Sequence, residues 1–208
     1  MIIVPIGIDC GVADILKKYK IRKFALPFDW VVTYNGIKNI IENDFADFLP
    51  HNIVYRENND IVVFNKYDVK FIHDKFNESD IEKYNRRIAR FKDLLNNKEL
   101  IIFLKKGHSY HHHGEYNFID DIQDVSNLHD FLKLKYPLLK FKIILVLLCY
   151  HCYKDICLNN ISPDIIIINK PTLQIRENLL ENKLISSQHF DIIFTNTIIP
   201  LLKNIQLS

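Results

Sequence analysis

The stretch IIVPIGIDCGVADILKKYKIRKFALPFDW, residues 2–30, decides how the rest of the chain is organised. Its first residues, Ile2 to Ile8, form an apolar run whose length and composition predict a buried β-strand. Gly7 and Gly11 bound a predicted tight turn, because glycine accepts the backbone angles that a sharp bend requires. A short amphipathic helix is then predicted from the spacing of Val12, Ile15, Leu16 and Tyr19.

Cys10 lies in this turn, between the predicted strand and the predicted helix. The first N–H groups of a helix have no partners within the helix and carry partial positive charge, so a thiol placed there ionises more easily. Thiolate is the reactive form of cysteine, and the N–H groups of Cys10 and Gly11 could receive an oxyanion. The alternative is that Cys10 is a small buried side chain of the core, as cysteines outside disulfides often are.

Length and composition predict a single globular domain over residues 1–208. The formal net charge is +2, which gives no reason to expect a nucleic-acid or membrane partner. About one residue in six is isoleucine, and asparagine and lysine are also abundant. This bias is typical of AT-rich genomes, such as those of low-GC bacteria, some protists and large DNA viruses.

A cytoplasmic location is expected, in the host cell if the source is a virus. The first residues lack the basic segment of a signal peptide, and Asp9 follows soon after the short apolar run begins. The apolar stretches are all shorter than a bilayer span. Four cysteines without a secretory signal favour reduced thiols.

The order of the predicted elements favours an α/β fold. Strands are predicted at 52–56, 61–64, 69–72, 100–104, 141–148, 165–168 and 192–194, and helices at 80–97, 119–134 and 173–184. The first two of these strands form a predicted hairpin around residues 57–60. Because strands alternate with helices in the second half, we expect a three-layer sandwich with a mainly parallel central sheet.

Two local patterns predict helix starts. Asp29, between Phe28 and Trp30, is interpreted as the N-cap of the next helical segment, and a carboxylate of the functional site is the alternative. Ser79 and Glu82 have the spacing of a capping box near the start of helix 80–97.

Three groups with catalytic chemistry follow predicted strands directly: Cys10, His73, and the histidine-rich loop from His108 to His113. In a parallel sheet, ligands bind at the carboxyl ends of the strands. If the three strands are parallel, these groups meet at one edge of the sheet. This placement favours a functional site at the Cys10 turn over a core contact.

Four sequence patterns together resemble one family. They are G-x-x-C-x-x-A-x-x-L from Gly7 to Leu16, I-R-x-x-x-x-P-F-D-W from Ile21 to Trp30, F-x-H-D from Phe71 to Asp74, and Y-x-R-R-I-x-R-F from Tyr84 to Phe91. The strand I-I-F-L-K, from Ile101 to Lys105, and more loosely the segment from Lys135 to Phe141, extend the likeness. The chain in this way resembles the uncharacterised DUF1796 family, whose predicted activity is that of a papain-like cysteine peptidase.

The resemblance implies that Cys10 is a nucleophile and His73 its base, and it makes a papain-like α+β fold the alternative architecture. The predicted strand directly before Cys10 is more similar to an esterase-type three-layer sandwich. In that fold a G-D-S turn follows the first strand, and Cys10 would replace the serine.

The chemistry that this pair predicts is hydrolysis or acyl transfer, with a thiolate attacking a carbonyl and an imidazole moving the proton. Asp29 and Asp74 are the candidates for a third catalytic residue. Asp74 is next to His73, and on an extended strand neighbouring side chains point to opposite faces, so it orients His73 only if the strand ends there. The further alternatives are Asp9 and Asp191.

Arg86, Arg87 and Arg90 lie on one predicted helix, on the face opposite its apolar residues. A solvated helix face is the commoner role of such arginines. Arg86 and Arg90 are also candidates to bind an anionic group of the substrate.

No cofactor or metal is expected. Cys149, His151, Cys152 and Cys157 have the short spacing of a zinc knuckle, but the second ligand pair is missing. The histidines of the 108–113 loop are explained equally well as solvated side chains. The predicted substrate is a peptide, an ester or a thioester; the alternatives are a non-enzymatic binding protein of the same fold and a zinc-binding protein.

Overall fold

The computed structural model describes residues 1–7, 10–33, 36–49, 55–57, 60–62, 67, 69–71, 73–74, 77–107, 118–147, 161–169 and 191–207. The strands in these ranges are β1 (Ile2–Gly7), β2 (Val31–Thr33), β3 (Tyr55–Glu57), β4 (Asp60–Val62), β5 (Val69–Phe71), β6 (Ile101–Lys106), β7 (Phe141–Leu147) and β8 (Ile165–Asn169). The α-helices are α1 (Gly11–Lys18), α2 (Ile37–Glu42), α3 (Glu78–Leu95), α4 (Phe118–Lys135) and α5 (Ile199–Leu207). A π-helical segment, Phe194–Ile198, leads directly into α5.

Four strands form a parallel sheet in the order β1-β6-β7-β8. The register pairs Ile2 with Ile101 at one end of β1 and Gly7 with Lys106 at the other. The inner strands β6 and β7 are buried along almost their whole length, which explains why their sequences are apolar without alternation. The prediction of an α/β fold with a parallel sheet is confirmed.

Helices cover both faces of the parallel sheet, because successive strand residues point to opposite sides. Ile2, Val4 and Ile6 of β1 belong to a core that includes buried residues of α2, α3 and α4. Ile3 belongs to a second core on the other face, which is formed with α1 and the C-terminal helical segment. The chain is therefore a three-layer α/β/α sandwich, as predicted.

The strands inserted between α1 and α3 form a separate antiparallel sheet in the order β2-β5-β4-β3. The predicted hairpin around residues 57–60 is confirmed, and its register pairs Glu57 with Asp60. β5 carries the chain to His73, so His73 follows a strand of the antiparallel sheet and not of the parallel one. The condition that parallel strands bring His73 to the edge where Cys10 lies is therefore not met.

Three local predictions also differ from the structure. Residues 192–194, predicted as a strand, are helical, because Ile193, Phe194 and Ile198 pack with helical spacing against the sheet. Asp29 is not a helix N-cap: it lies in a turn before β2, and the residue before α2 is Gly36 with φ of 139°. α3 is capped by Asn77, whose side-chain oxygen accepts a hydrogen bond from the Asp80 N–H, rather than by Ser79.

Some predicted features lie outside the described residues. They are the histidine-rich loop at 108–113, the helix at 173–184, and the four possible zinc ligands at 149–157. Within the described ranges, every helix is too short or too polar to span a membrane.

Candidate active site

Cys10 is the N-cap residue of α1, with φ of −74° and ψ of −5°. Its carbonyl oxygen accepts the Asp14 N–H at 3.0 Å, which closes the first turn of the helix. Its side chain makes no capping hydrogen bond, although this position usually holds an oxygen-bearing side chain for that purpose. Cys10 is half-buried and carries a thiol rather than a disulfide, and Gly11 is the first residue of the helix.

The parallel register fixes the end of the sheet at which this thiol lies. β1 ends at Gly7 beside Lys106, the last residue of β6. Cys10 is three residues beyond Gly7, and three residues span at most about 11 Å when fully extended. Cys10 is thus at the carboxyl edge of the sheet, where α/β proteins commonly bind ligands.

His73 is exposed on a bend after β5. Its ring packs edge-to-face against Trp30, with 5.5 Å between the ring centroids and an interplanar angle of 89°. Both Cys10 and His73 are described, and no hydrogen bond joins the imidazole to the thiol in this structure.

Trp30 belongs to a cluster that connects the His73 region with the end of α1. The Arg22 guanidinium donates to Asp29 Oδ2 at 2.9 Å and lies 5.8 Å from the centre of the Trp30 ring. The Arg22 backbone N–H also donates to the Leu16 carbonyl at 3.0 Å, which anchors this residue to the last turns of α1. The cluster therefore brings Arg22, at the start of the pattern I-R-x-x-x-x-P-F-D-W, into contact with Asp29 and Trp30 at its end.

Asp29 is fully buried in this cluster. Burial raises the pKa of its carboxyl group to about 6, because desolvation outweighs the opposing effects of a Leu26 backbone hydrogen bond and the Arg22 and Arg87 charges. Asp29 Oδ1 and Arg87 Nη1 are both buried without a hydrogen-bond partner in the described structure. Asp29 is bonded to Arg22 and not to His73. It therefore stabilises the packing around Trp30 and does not hold the imidazole directly.

With this geometry, the chain can be compared with known proteins. A family model described as "Putative papain-like cysteine peptidase (DUF1796)" matches residues 1–151. The chain belongs to this family. The matched part of this DUF1796 protein includes β1, the Cys10 turn, the Arg22 to Trp30 cluster and His73, and the α/β architecture is consistent with the assignment.

The uncharacterized protein R408 of Acanthamoeba polyphaga mimivirus is 29% identical to the DUF1796 chain. The aligned region covers 49% of this chain and 60% of the viral protein, so the chain spans less than two thirds of that relative's length. No solved structure gives a significant match.

Asp74 has partners within the DUF1796 domain that explain its position. Its carboxylate accepts the Tyr84 hydroxyl at 2.7 Å and also pairs with Lys83, both on α3. Burial, followed by the Asp74 charge, raises the pKa of Tyr84 above its usual range. Asp74 therefore attaches the segment carrying His73 to the first turns of α3.

The arginines of α3 differ in their surroundings. Arg90 donates to the Ala25 carbonyl at 2.8 Å and stacks 5.1 Å from the centre of the Phe24 ring. Arg86 is exposed. Arg90 thus links α3 to the segment that precedes Asp29, while the Arg86 side chain faces solvent.

Two buried lysines at the carboxyl edge are absent from the sequence-based predictions. Lys105 pairs with Asp124 and lies 3.3 Å from Asp121, both on α4, and Lys106 is only 4% exposed. The sequence feature that could have identified them is a pair of adjacent lysines at the end of an otherwise apolar strand. Neighbouring residues of a strand face opposite sides of the sheet, so one lysine of such a pair lies on each side. In the described ranges, no group of three or more His, Cys, Asp or Glu side chains could hold a metal ion.

Proposed function

We propose that this DUF1796 protein is a cysteine hydrolase or acyltransferase with Cys10 as its nucleophile. The observation that carries the proposal is the position of the thiol at the N-terminus of α1, at the carboxyl edge of the parallel sheet. A helix N-terminus stabilises negative charge, which favours the thiolate and so its attack on a carbonyl carbon.

In the proposed reaction, Cys10 Sγ loses its proton to the His73 imidazole and forms a bond to the substrate carbonyl carbon. The carbonyl oxygen becomes an oxyanion, which the backbone N–H groups of Cys10 and Gly11 stabilise. The imidazolium then protonates the leaving group as the carbon–leaving-group bond breaks, and a thioester remains on Cys10. Water completes hydrolysis, and another nucleophile completes transfer.

The proposed base requires His73 to approach the thiol when substrate binds. Catalytic hydrogen bonds are often long or absent without substrate and tighten in its complex. The His73 ring contacts Trp30 in an edge-to-face arrangement, and His73 is exposed on its bend. Asp29 and Asp74 have positioning roles in this proposal: Asp29 through Arg22 and Trp30, and Asp74 through α3.

The proposed substrates are peptides, esters or thioesters, all of which suit a Cys–His mechanism. Of the two arginines considered for an anionic substrate group, Arg86 suits that role better, because Arg90 is already bonded to Ala25. We place the reaction in a reducing compartment such as the cytoplasm, where the thiol persists.

Site-resolved alkylation tests the nucleophile. The protein is treated briefly with iodoacetamide at pH 7, and labelling is quantified for each cysteine-containing peptide. We expect Cys10 to react at least about tenfold faster than Cys149, Cys152 or Cys157, because a larger fraction is thiolate. If Cys10 reacts no faster than glutathione under the same conditions, the proposal is wrong.

Hydrolysis of a panel of chromogenic acyl substrates (a peptide anilide, a nitrophenyl ester and a thioester) tests the reaction. Cys10→Ala should abolish turnover, and His73→Gln should lower kcat by roughly 100-fold or more. His129→Gln is the control, because His129 contacts Phe141 at the first residue of β7, at the opposite end of the sheet. Equal turnover by wild type and Cys10→Ala would contradict the assignment.

A further inference from the structure

Leu134 and Leu138 are the most exposed large apolar side chains of the described residues, at 85% and 90%. Leu134 lies in the last turn of α4, and Leu138 lies in the connection from α4 to β7. Single exposed leucines are common on soluble proteins. Two leucines that protrude this far from one connection contribute little to the core, so the packing of the fold does not account for them.

The connection that carries these leucines is strongly basic. Residues 131–142, FLKLKYPLLKFK, include four lysines and no acidic residue. Asp164 pairs with two of these lysines, Lys133 at 2.8 Å and Lys142 at 3.5 Å. One carboxylate therefore serves two ammonium groups, and the connection keeps an excess of positive charge.

Three exposed lysines, Lys98, Lys135 and Lys140, supply further charge that is not neutralised. In the part of the chain that the structure describes, none of them is within ion-pair distance of an acidic side chain. Lys98 and Lys135 line the same groove as Leu138 and Tyr136, and Lys135 Nζ is 5.9 Å from the centre of the Tyr136 ring. Apolar and cationic groups therefore share one surface, here called the Leu138 surface, which consists of Lys98, Leu134, Lys135, Tyr136, Leu138 and Lys140.

Acidic residues beside the Leu138 surface are already paired with other lysines. Glu42 pairs with Lys38 at 2.7 Å, and Asp44 pairs with Lys92 at 2.8 Å. The whole chain has a formal net charge of only +2, so this positive charge is a local feature that the total conceals.

The Leu138 surface lies at the edge of the parallel sheet opposite Cys10. Lys98 comes shortly before β6 and Leu138 shortly before β7, and these two strands are parallel neighbours. The surface is therefore at the amino ends of the strands, whereas Cys10 follows the carboxyl end of β1. A large partner bound to this surface leaves the candidate active site uncovered.

We infer that the Leu138 surface binds an anionic phospholipid bilayer. The two leucines enter the boundary between headgroups and acyl chains, and the three lysines contact the acidic headgroups. Charge complementarity selects this partner, because the lysines require an extended anionic surface. The leucines protrude, and a bilayer receives protruding apolar side chains without the matching pockets that a protein partner would need.

Tyr136 fits the same boundary, since tyrosine combines an apolar ring with a polar hydroxyl group. The cytoplasmic leaflet supplies acidic lipids in the reducing compartment in which we place the reaction. The inference does not depend on the proposed function, because vesicle binding is measured without a substrate.

Sedimentation of the full chain with lipid vesicles tests the inference. One set of vesicles is phosphatidylcholine alone, and the other contains about 30% phosphatidylserine, both at about 0.1 M NaCl. We expect the wild type to bind the phosphatidylserine vesicles at least about tenfold more strongly. Binding should weaken at about 0.5 M NaCl, because salt screens the lysines from the headgroups.

Paired variants test the apolar part of the surface. Leu134→Ser combined with Leu138→Ser should weaken binding to phosphatidylserine vesicles by about tenfold or more, because the apolar area no longer leaves water. Ile81→Ser is the control, since Ile81 is an exposed apolar residue at the other end of α3 from the groove. It should change binding by less than about twofold.

A second pair tests the charges. Replacing Lys98, Lys135 and Lys140 together by glutamine should weaken binding by roughly 100-fold, since each lysine near an anionic surface contributes roughly a fivefold factor. The control replaces three exposed lysines on the side of the sheet that carries α1 and α5: Lys17, Lys20 and Lys203. The control should retain most of the binding.

Three results would overturn the inference. The first is wild-type binding that is no stronger with phosphatidylserine than without it. The second is an equal loss in the surface variants and their controls, which would indicate a general charge effect. The third is a dimer, seen by sedimentation velocity without lipid, that dissociates in Leu134→Ser/Leu138→Ser, because the surface would then bind a second copy of the chain.

Leu138→Trp gives a test that does not rely on a loss of binding. The wild type has one tryptophan, Trp30, which lies at the candidate site. On phosphatidylserine vesicles that contain brominated lipid, we expect quenching of the Leu138→Trp fluorescence beyond that of the wild type. Ile81→Trp is the control and should show no added quenching; equal quenching of Leu138→Trp and Ile81→Trp would contradict insertion at the Leu138 surface.

Discussion

The Asp29 carboxyl group is hydrogen-bonded, yet its charged form is destabilised by burial. Its carboxyl group is fully buried and receives one guanidinium hydrogen bond from Arg22 at 2.9 Å, yet its second oxygen has no partner in the described structure. A buried carboxylate needs more than one charge-assisted bond to offset its desolvation. The pKa of about 6 follows from this shortfall.

Asp29→Asn should change how stability depends on pH. In the unfolded chain an aspartate loses its proton near pH 4, whereas folded Asp29 keeps it until about pH 6, so the folded state holds the extra proton between these values. Its pKa is raised, so the wild type loses stability as pH rises through this window, by about 3 kcal/mol relative to Asp29→Asn.

Urea unfolding of both proteins between pH 3.5 and 7.5 measures this difference. Asp14→Asn, which alters an exposed acid of α1, is the control and should keep the wild-type slope. Parallel curves for wild type and Asp29→Asn would show that the carboxyl group is not destabilised by burial.

α3 is the element that connects the regions around the candidate site. Its first turns bind Asp74 through Lys83 and Tyr84, and further along the helix Arg90 binds the Ala25 carbonyl. These contacts attach the segment carrying His73 and the segment preceding Asp29 to the same rigid helix. The relative position of His73 and Trp30 therefore depends on α3, although the helix contributes no proposed catalytic group.

Arg90→Ala and Arg86→Ala should separate structural from solvated arginines on this helix. Arg90→Ala loses a charge-assisted hydrogen bond and a cation–π contact, and should lower the free energy of unfolding by about 2 kcal/mol. Arg86→Ala should change it by less than about 0.5 kcal/mol, since its side chain is exposed. Chemical denaturation measures both, and equal losses would contradict the distinction.

At the scale of the whole molecule, we expect the parallel sheet to be the part of the described structure that is best protected from hydrogen exchange. β6 and β7 each have a hydrogen-bonded neighbour on both sides, while β1 and β8 are at the ends of the strand order. Both inner strands are also covered by a core on each face. Their amides can therefore exchange only when most of the sandwich opens.

Native-state hydrogen exchange followed by mass spectrometry should give the slowest exchange for peptides from β6 and β7. Peptides from α2, a helix of only six residues, should exchange faster by at least about tenfold. The opposite order would mean that the parallel sheet is not the last unit to open.

Hydrophobic patterning predicted most of the fold, because α3 has apolar residues at helical spacing and the inner strands of the parallel sheet are short continuous apolar runs. α3, α4, β6, β7 and β8 were predicted to within a few residues. One failure was a short apolar segment: residues 192–194 are too few to show whether their period is two or 3.6, and neighbouring helical contacts decide it.

The candidate site was less predictable, since it depends on which strands are neighbours. Cys10 was found from its local sequence alone, whereas the position of His73 required the pairing of β5, which local patterns do not reveal. The buried state of Lys106 and the contact of Asp29 with Arg22 likewise arise from distant segments packing together. Contacts between remote parts of the chain leave little trace in a single sequence.

The pairing of Ile2 with Ile101 has a consequence for biosynthesis. β1 is translated before β6, the strand that hydrogen-bonds to it, and the antiparallel sheet and α3 lie between the two in the chain. During that interval the nascent chain carries an apolar strand without its final neighbour, which is a state that chaperones commonly bind. The carboxyl edge of the sheet beside Cys10 is therefore assembled only after β6 has emerged.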